Sequence, residues 1–343
     1  MTFKYLDCTR EVSAFQHTPA DRRAWVASEI VGSDWIVEVA QEDLNEIDNL
    51  AQYILQNPLQ NLQRRADDFD LPRCRNLMRK MKSILDDGVG FCVLDRLPMD
   101  NHSIEVMVEI YWILGQYMGR PVAQKWNGQM IYDVRDTGSK HHNQIRGSHT
   151  NAELVFHTDN AFAKMVPDYV GLLCRFPAKQ GGISRFCSLY TVHERMHEKY
   201  PEELKRLYQP MYFNRQAEHH PDAEKVCLAP YFSWAHGRLN ARANSFLVRA
   251  GYEVANEKID ALLGNALDAI DEVCASEDIW FEGPLQRGHL QYLNNHEVGH
   301  YRSNFVDNDD PDKKRHLFRI WNRERASSSY DGNRFSELPG KSI

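Results

Sequence analysis

The sequence predicts a mainly β fold, a sandwich or barrel with helices packed outside it. Three observations predict this class. From about residue 120 the chain breaks into short apolar and β-branched runs divided by turn residues. Segments of helical periodicity fall irregularly between those runs instead of after every strand, which disfavours repeated βαβ units. The first 85 or so residues carry helical spacing, as a flank to a core would.

The elements follow in order. QEDLNEIDNLAQYILQ sets Leu44, Ile47, Leu50, Ala51 and Ile54 on one helical face, and RCRNLMRKMKSILDDG repeats the pattern with Leu77, Met81 and Leu85 before Gly88. GFCVLDRL reads as a strand ending in a turn at Pro98, and SIEVMVEIYWILGQYMGR as an amphipathic helix closed by Gly119. MIYDVRD, ELVFHTD, YVGLLCRF, ISRFCSLY, HLQYLNN and HLFRIWN are strand candidates; VHERMHEKYPEELKRLY and EKIDALLGNALDAIDEVCA are helices between them.

Composition narrows the function classes. The 343 residues carry a formal charge of -7, with Lys and Arg scattered along the chain, so no footprint for nucleic acid is present. No apolar run approaches the roughly eighteen residues of a membrane span, and the start has no signal-peptide pattern, so a cytoplasmic protein without a membrane partner is expected. Cys8, Cys74, Cys92, Cys174, Cys187, Cys227 and Cys274 are odd in number and lack C-x-x-C spacing, which argues against a disulfide framework or a structural zinc site. A metal here has to use His and carboxylate ligands. Nothing in the composition decides between a monomer and a homo-oligomer.

FHTDNAF, residues 156–162, sets His157 and Asp159 two positions apart, on one face of a short strand. Alone, the pair reads first as a simple ion pair on a strand. A second stretch changes the weighing: RGHLQYLNNHEVGHYRSNFVDNDDPDKKRHLFRIWN, residues 287–322, offers His296 and His300 as imidazoles and Arg315 and Arg319 as carboxylate clamps. Two imidazoles and one carboxylate leave three octahedral positions open, the pattern of non-haem Fe(II) oxygenases. The guanidinium fork suits bidentate capture of a carboxylate.

From about Gly90 to Trp321 the chain resembles the taurine dioxygenase-like family of Fe(II)/2-oxoglutarate-dependent oxygenases. GFCVLDRLP, HTD, PDYVGLLCRFPAKQGGISRFCS, LNNHEVGHYRSNF and RHLFRIW follow the family's order. The resemblance implies a double-stranded β-helix (jelly-roll) core, with residues 1–85 a mostly helical flank, 86–330 the oxygenase domain with helical insertions, and 331–343 a tail. It implies Fe(II) ligands at His157, Asp159 and His300, and a clamp for the far carboxylate of 2-oxoglutarate at Arg315 and Ser184. Arg319 matches an arginine near the metal that faces either the co-substrate or an anionic substrate. His300 is preferred to His296 on its spacing from Asn294 and Asn295. His289 stands where the family usually has aspartate, a local change in a turn.

The loop before the metal strand makes Arg146, His149 and Asn151 substrate candidates, with Arg302 as a fourth. The tryptophans, including Trp126, Trp234, Trp280 and Trp321, read as core packing. The implied reaction couples decarboxylation of 2-oxoglutarate by O2, giving succinate and CO2, to oxidation of an unactivated C–H bond. Hydroxylation is the default, because halogenating relatives replace the carboxylate ligand and Asp159 is present. The expected substrate is a small acidic or amino-acid-like molecule. A protein or carrier-tethered substrate, and a non-catalytic β-helix binding module, are the alternatives.

Overall fold

The alternating runs are realised as two facing sheets. The computed structural model describes residues 4–9, 21–60, 62–138, 149–216 and 218–324. The larger sheet runs in the order Ile36–Glu38, Phe91–Asp95, Leu290–Asn294, Tyr169–Phe176, His316–Arg323, Arg120–Val122, and Tyr132–Val134 also pairs with His316–Arg323. Only Ile36–Glu38 is parallel to its neighbour; the other pairings in this sheet are antiparallel. The smaller sheet is antiparallel and orders Trp280–Glu282, Ser184–Ser188, Val298–Arg302 and Leu154–His157. Between the two sheets Phe91 stacks on Phe186, ring centroids 4.3 Å apart, among Val170, Leu293, Val298 and Trp321. This is the expected double-stranded β-helix.

Helices cover both flanks. Gln41–Gln56, Pro72–Asp87 and Ile104–Gly115 pack Ile47, Leu50, Met81, Leu85, Ile110 and Ile113 onto the outer face of the larger sheet, against Leu94, Leu173, Tyr292 and Ile320. A second apolar cluster joins Leu189–Lys199, Pro201–Leu207, Ser245–Ala255 and Ala261–Ala275 through Leu189, Leu207, Leu247 and Ile270. All seven cysteines are buried and free.

The structure adds to the sequence reading in three places. The N-terminal flank is not helical throughout: Ile36–Glu38 joins the larger sheet, and Leu6–Asp7 pairs with Val226–Ala229. The segment 192–208, read as one helix, is two, because Pro201 lacks the N–H to continue the first and starts the second. Helix Ser245–Ala255 and the strands Met211–Asn214, Val226–Ala229, Phe232–Ala235 and Arg238–Ala241 were not anticipated.

Candidate iron centre

Register brings the first two histidines together. In the antiparallel pair Leu154–His157 and Val298–Arg302, His157 stands opposite His300, with ring centroids 4.2 Å apart. Asp159, two residues past His157, turns its Oδ1 toward both rings, 3.7 Å from His157 Nε2 and 3.5 Å from His300 Nε2. One ligand atom from each of the three lies within 4.8 Å of the others, the only such cluster of three or more His, Cys, Asp or Glu ligands among the described residues.

Surrounding groups fix these three side chains. Val155 O accepts from His157 Nδ1 at 2.8 Å, which leaves the Nε2 lone pair for a metal. The second oxygen of Asp159, Oδ2, accepts from Arg319 Nη1 at 2.9 Å and Trp321 Nε1 at 2.8 Å. Asn295 ties down the backbone, accepting from Asp159 N at 2.7 Å and donating to Asp159 O at 2.9 Å and Pro167 O at 3.1 Å. The carboxylate is thereby divided, with Oδ2 held by protein donors and Oδ1 facing the imidazoles.

At Asp159 and His300 electrostatics favour the metal-ready protonation state. Burial alone raises the Asp159 pKa, but Arg319, His157 and His300 outweigh it and hold the carboxyl well below the usual range. Burial, with His157 beside it, pushes His300 down to about 4. An ionised carboxylate and a neutral imidazole are forms that bind a divalent cation.

Beside the triad is a cavity of about 60 Å³, whose lining includes His157, Asp159, His300, Ser184, Arg302, Arg315 and Arg319. Arg315 is buried, and its Nη1 has no hydrogen-bond partner. Burial pushes it down to about 10, and burial together with nearby Arg315 pushes Arg302 down to about 9. Both guanidiniums lie over the ring of Phe305, at 5.1 and 5.0 Å. Gly182, at φ +65°, keeps the cradle open, since a Cβ there would come within 3.1 Å of Arg315 Nε. Two buried cations beside an unused donor fit an anionic ligand the size of a short dicarboxylate. The donor set therefore fits both Fe(II) and 2-oxoglutarate.

The other predicted residues fall as follows. Arg319 is bonded to Asp159, and its Nε donates to Gln124 Oε1 at 2.8 Å. Arg302 lines the smaller cavity, and its Nη2 donates to the carbonyls of Thr150, at 2.8 Å, and Ala152. His149 Nε2 lies 2.6 Å from the Tyr132 hydroxyl, and Asn151 is exposed, its carbonyl accepting from Phe305 N at 3.2 Å. Neither lines the cavities at the triad. Arg146 lies outside the described residues. His296 pairs with Asp168 at 2.8 Å, away from the cluster, and His289 Nε2 sits 3.2 Å from Asp95. Trp321 is more than core packing, since it bonds a ligand residue, and Trp126 is 43 % exposed.

Comparison with known proteins decides the family. The sequence profile of the taurine catabolism dioxygenase TauD, TfdA family matches residues 55–321. The chain belongs to that family. It is an Fe(II)/2-oxoglutarate-dependent dioxygenase, with O2 as the second co-substrate. Among curated members it is 26% identical to FR-33289 synthase of Streptomyces rubellomurinus over 313 residues, covering 88% of each chain. It is 22% identical to the taurine hydroxylase-like protein SAT17 of Stachybotrys chartarum, covering 88% of this chain and 78% of that one. Among solved structures, asparagine oxygenase in complex with Fe(II), 3-hydroxyasparagine and succinate superposes with a TM-score of 0.65 at 18% identity, over 87% of this chain and 99% of the other. The non-haem iron oxygenase OrfP in complex with Fe and alpha-ketoglutaric acid gives 0.62 at 15% identity, over 84% and 94%. At these identities the likeness to the solved structures is one of fold. Among the described residues no helix is long and apolar enough to cross a membrane.

Proposed function

We propose that this TauD-family dioxygenase hydroxylates an unactivated C–H bond of a small acidic or amino-acid-like molecule, converting 2-oxoglutarate to succinate and CO2. The observation that carries the reading is that two cavities share His157 and Asp159 in their linings. The lining of the 60 Å³ cavity includes Arg315; a second cavity, of about 180 Å³, is lined by His157, Asp159, Phe162, Phe246 and Leu247. Co-substrate and substrate can thus reach the metal through different cavities.

In this reading His157, Asp159 and His300 hold Fe(II). Arg315 and Ser184 hold the 5-carboxylate of 2-oxoglutarate, and Arg302 adds positive charge beside Arg315. Bound there, the iron with 2-oxoglutarate and O2 supplies the oxidising chemistry. The protein's part is to aim it. Arg319 and Trp321 keep Asp159 ionised and turned; Phe162, Phe246 and Leu247 exclude water from the substrate side. The retained carboxylate at 159 supports hydroxylation over halogenation. A small amino-acid-like substrate is supported by the hydroxylated asparagine and arginine named in the complexes of asparagine oxygenase and OrfP.

Anaerobic addition of Fe(II) and 2-oxoglutarate tests the assignment. The wild type is expected to develop the weak visible charge-transfer band of chelated 2-oxoglutarate, and His157→Ala and His300→Ala to lose it while keeping a native circular dichroism spectrum. A folded wild type without the band would remove the reading.

A further inference from the structure

The 180 Å³ cavity contains polar atoms that the roles assigned so far do not use. Thr158 and Asn160 flank Asp159 in the chain, both line this cavity, and they are 1% and 7% exposed. Thr158 Oγ1, Asn160 Oδ1 and Asn160 Nδ2 are all buried without a hydrogen-bond partner. Asn160 sits at φ +57°, in the left-handed region that asparagine tolerates better than most residues. The segment is well anchored on its backbone, with Thr158 N donating to Ala243 O at 2.7 Å and Ala163 N to Asn160 O at 3.0 Å. Only the side chains are left over.

A buried amide with neither its donor nor its acceptor engaged is costly, and native proteins pair such groups with protein, water or ligand. Here the partner can enter from the cavity that also opens on the iron ligands. The charged residues of the same lining limit what that partner is. Glu153 stands exposed, its carboxylate accepting from the Tyr301 hydroxyl, and Arg319 is bonded to Asp159. Among the described lining residues the groups that remain for a ligand head are the Glu153 carboxylate, the Thr158 hydroxyl and the carboxamides of Asn160, which is buried without a partner, and half-buried Gln216, whereas Asn244 Oδ1 already accepts from Leu247 N.

We infer that Asn160, with Thr158 beside it, reads the primary substrate, and that the group read carries an N–H donor next to an oxygen acceptor. A carboxamide or an amino-acid head meets this requirement: its N–H donates to Asn160 Oδ1, its oxygen accepts from Asn160 Nδ2, and an ammonium faces Glu153. A sulfonate with neither N–H nor O–H does not, since it leaves Oδ1 unpaired and meets Glu153 with like charge. This rests on the oxygenase reading above and narrows its substrate class.

The test uses the enzyme loaded anaerobically with Fe(II) and 2-oxoglutarate, so that the charge-transfer band first reports on the iron site. Without the band the oxygenase reading fails, and this inference with it. With the band present, L-asparagine, L-glutamine and L-arginine are titrated in, against ethanesulfonate and propane-1-sulfonate as N–H-free acids that carry no O–H donor either. At least one of the first group is expected to shift the band and, with O2 admitted, to raise succinate release. Asn160→Gly removes the amide while accepting the left-handed backbone, and Thr158→Val removes the hydroxyl at constant shape. Asn160→Gly is expected to raise the KM of the responding compound at least tenfold and to leave the KM for 2-oxoglutarate and the band itself unchanged. Response to the N–H-free acids alone, response to none of the five, or an unchanged KM in Asn160→Gly would overturn the inference.

Discussion

Asp159 has two oxygens with different duties. Oδ2 is taken by Arg319 and Trp321, and Oδ1 faces the imidazoles of His157 and His300. Groups that orient a metal ligand typically contribute about 10–100-fold in affinity, so Arg319→Gln is expected to weaken Fe(II) binding by about that factor. The variant also removes the largest influence lowering the Asp159 pKa. Sign follows from this: with Arg319 gone the proton competes with the metal at higher pH, so the loss is greater at pH 5.5 than at pH 7.5. Anaerobic metal titration at the two pH values measures it, and equal affinities for variant and wild type would show that Arg319 does not act through Asp159. His157, Asp159 and His300 were legible in the sequence because H-x-D spacing and the H-x-R after paired asparagines are local patterns. The partners of Asp159 were not legible in that role, since Asn295, Arg319 and Trp321 lie more than a hundred residues away and meet it only through folding. Asn160 was hidden for a different reason, because an unpaired amide is a property of surroundings and not of residue type.

Helix Leu189–Lys199 shows what an element can hide. His193 on its buried face is fully inaccessible, with Nε2 2.8 Å from the Tyr208 hydroxyl and its ring edge-on to Phe232. Burial pushes its pKa down to about 3. The ordinary value of about 6.5 holds in the unfolded chain, so between pH 6.5 and 3 the unfolded state binds more protons and stability falls as pH falls. One such group lowers stability by about 1.4 kcal/mol per pH unit in that window, or about 2 kcal/mol from pH 6.5 to pH 5. Urea unfolding of wild type and His193→Gln at pH 7 and pH 5 isolates this, with the variant losing less on acidification; parallel pH profiles would refute it. The two helices on the N-terminal flank were readable because one face repeats at helical spacing. Ser245–Ala255 was not, because Gly251 breaks the pattern for a reason of packing: a Cβ there would lie 2.4 Å from Tyr212 O. The helix can cross the Met211–Asn214 strand closely only with glycine at that point.

At the scale of the whole molecule, the sheets, the N-terminal flank and the helical insertion are joined at one buried carboxylate. Glu297 lies on the turn between Leu290–Asn294 of the larger sheet and Val298–Arg302 of the smaller. Its Oε1 accepts from Tyr190 Oη at 2.7 Å and Arg238 Nε at 2.7 Å, both from the insertion, and Oε2 accepts from Arg238 Nη2 at 2.7 Å. Arg238 Nη2 also donates to Asp86 O, at 2.6 Å, in the helix Pro72–Asp87, and Leu189 N donates to Glu297 O at 2.8 Å. Removing one partner of a buried pair strands the other, which costs about 3–5 kcal/mol; the side chain of Arg238 is 34% exposed, which puts the expectation at the low end. Glu297→Ala is therefore expected to lose about 3 kcal/mol, and Tyr190→Phe, which deletes one hydroxyl, about 1 kcal/mol. The junction also predicts how the protein unfolds. Because the turn that bears Glu297 leads directly into the strand carrying His300, loosening the insertion disturbs the iron site, so tryptophan fluorescence, circular dichroism and loss of the 2-oxoglutarate charge-transfer band should share one transition in the wild type. In Glu297→Ala that shared transition moves to lower denaturant. An insertion that melts separately, leaving the band intact, would mean that the carboxylate stabilises the insertion alone and does not couple it to the metal-bearing sheet.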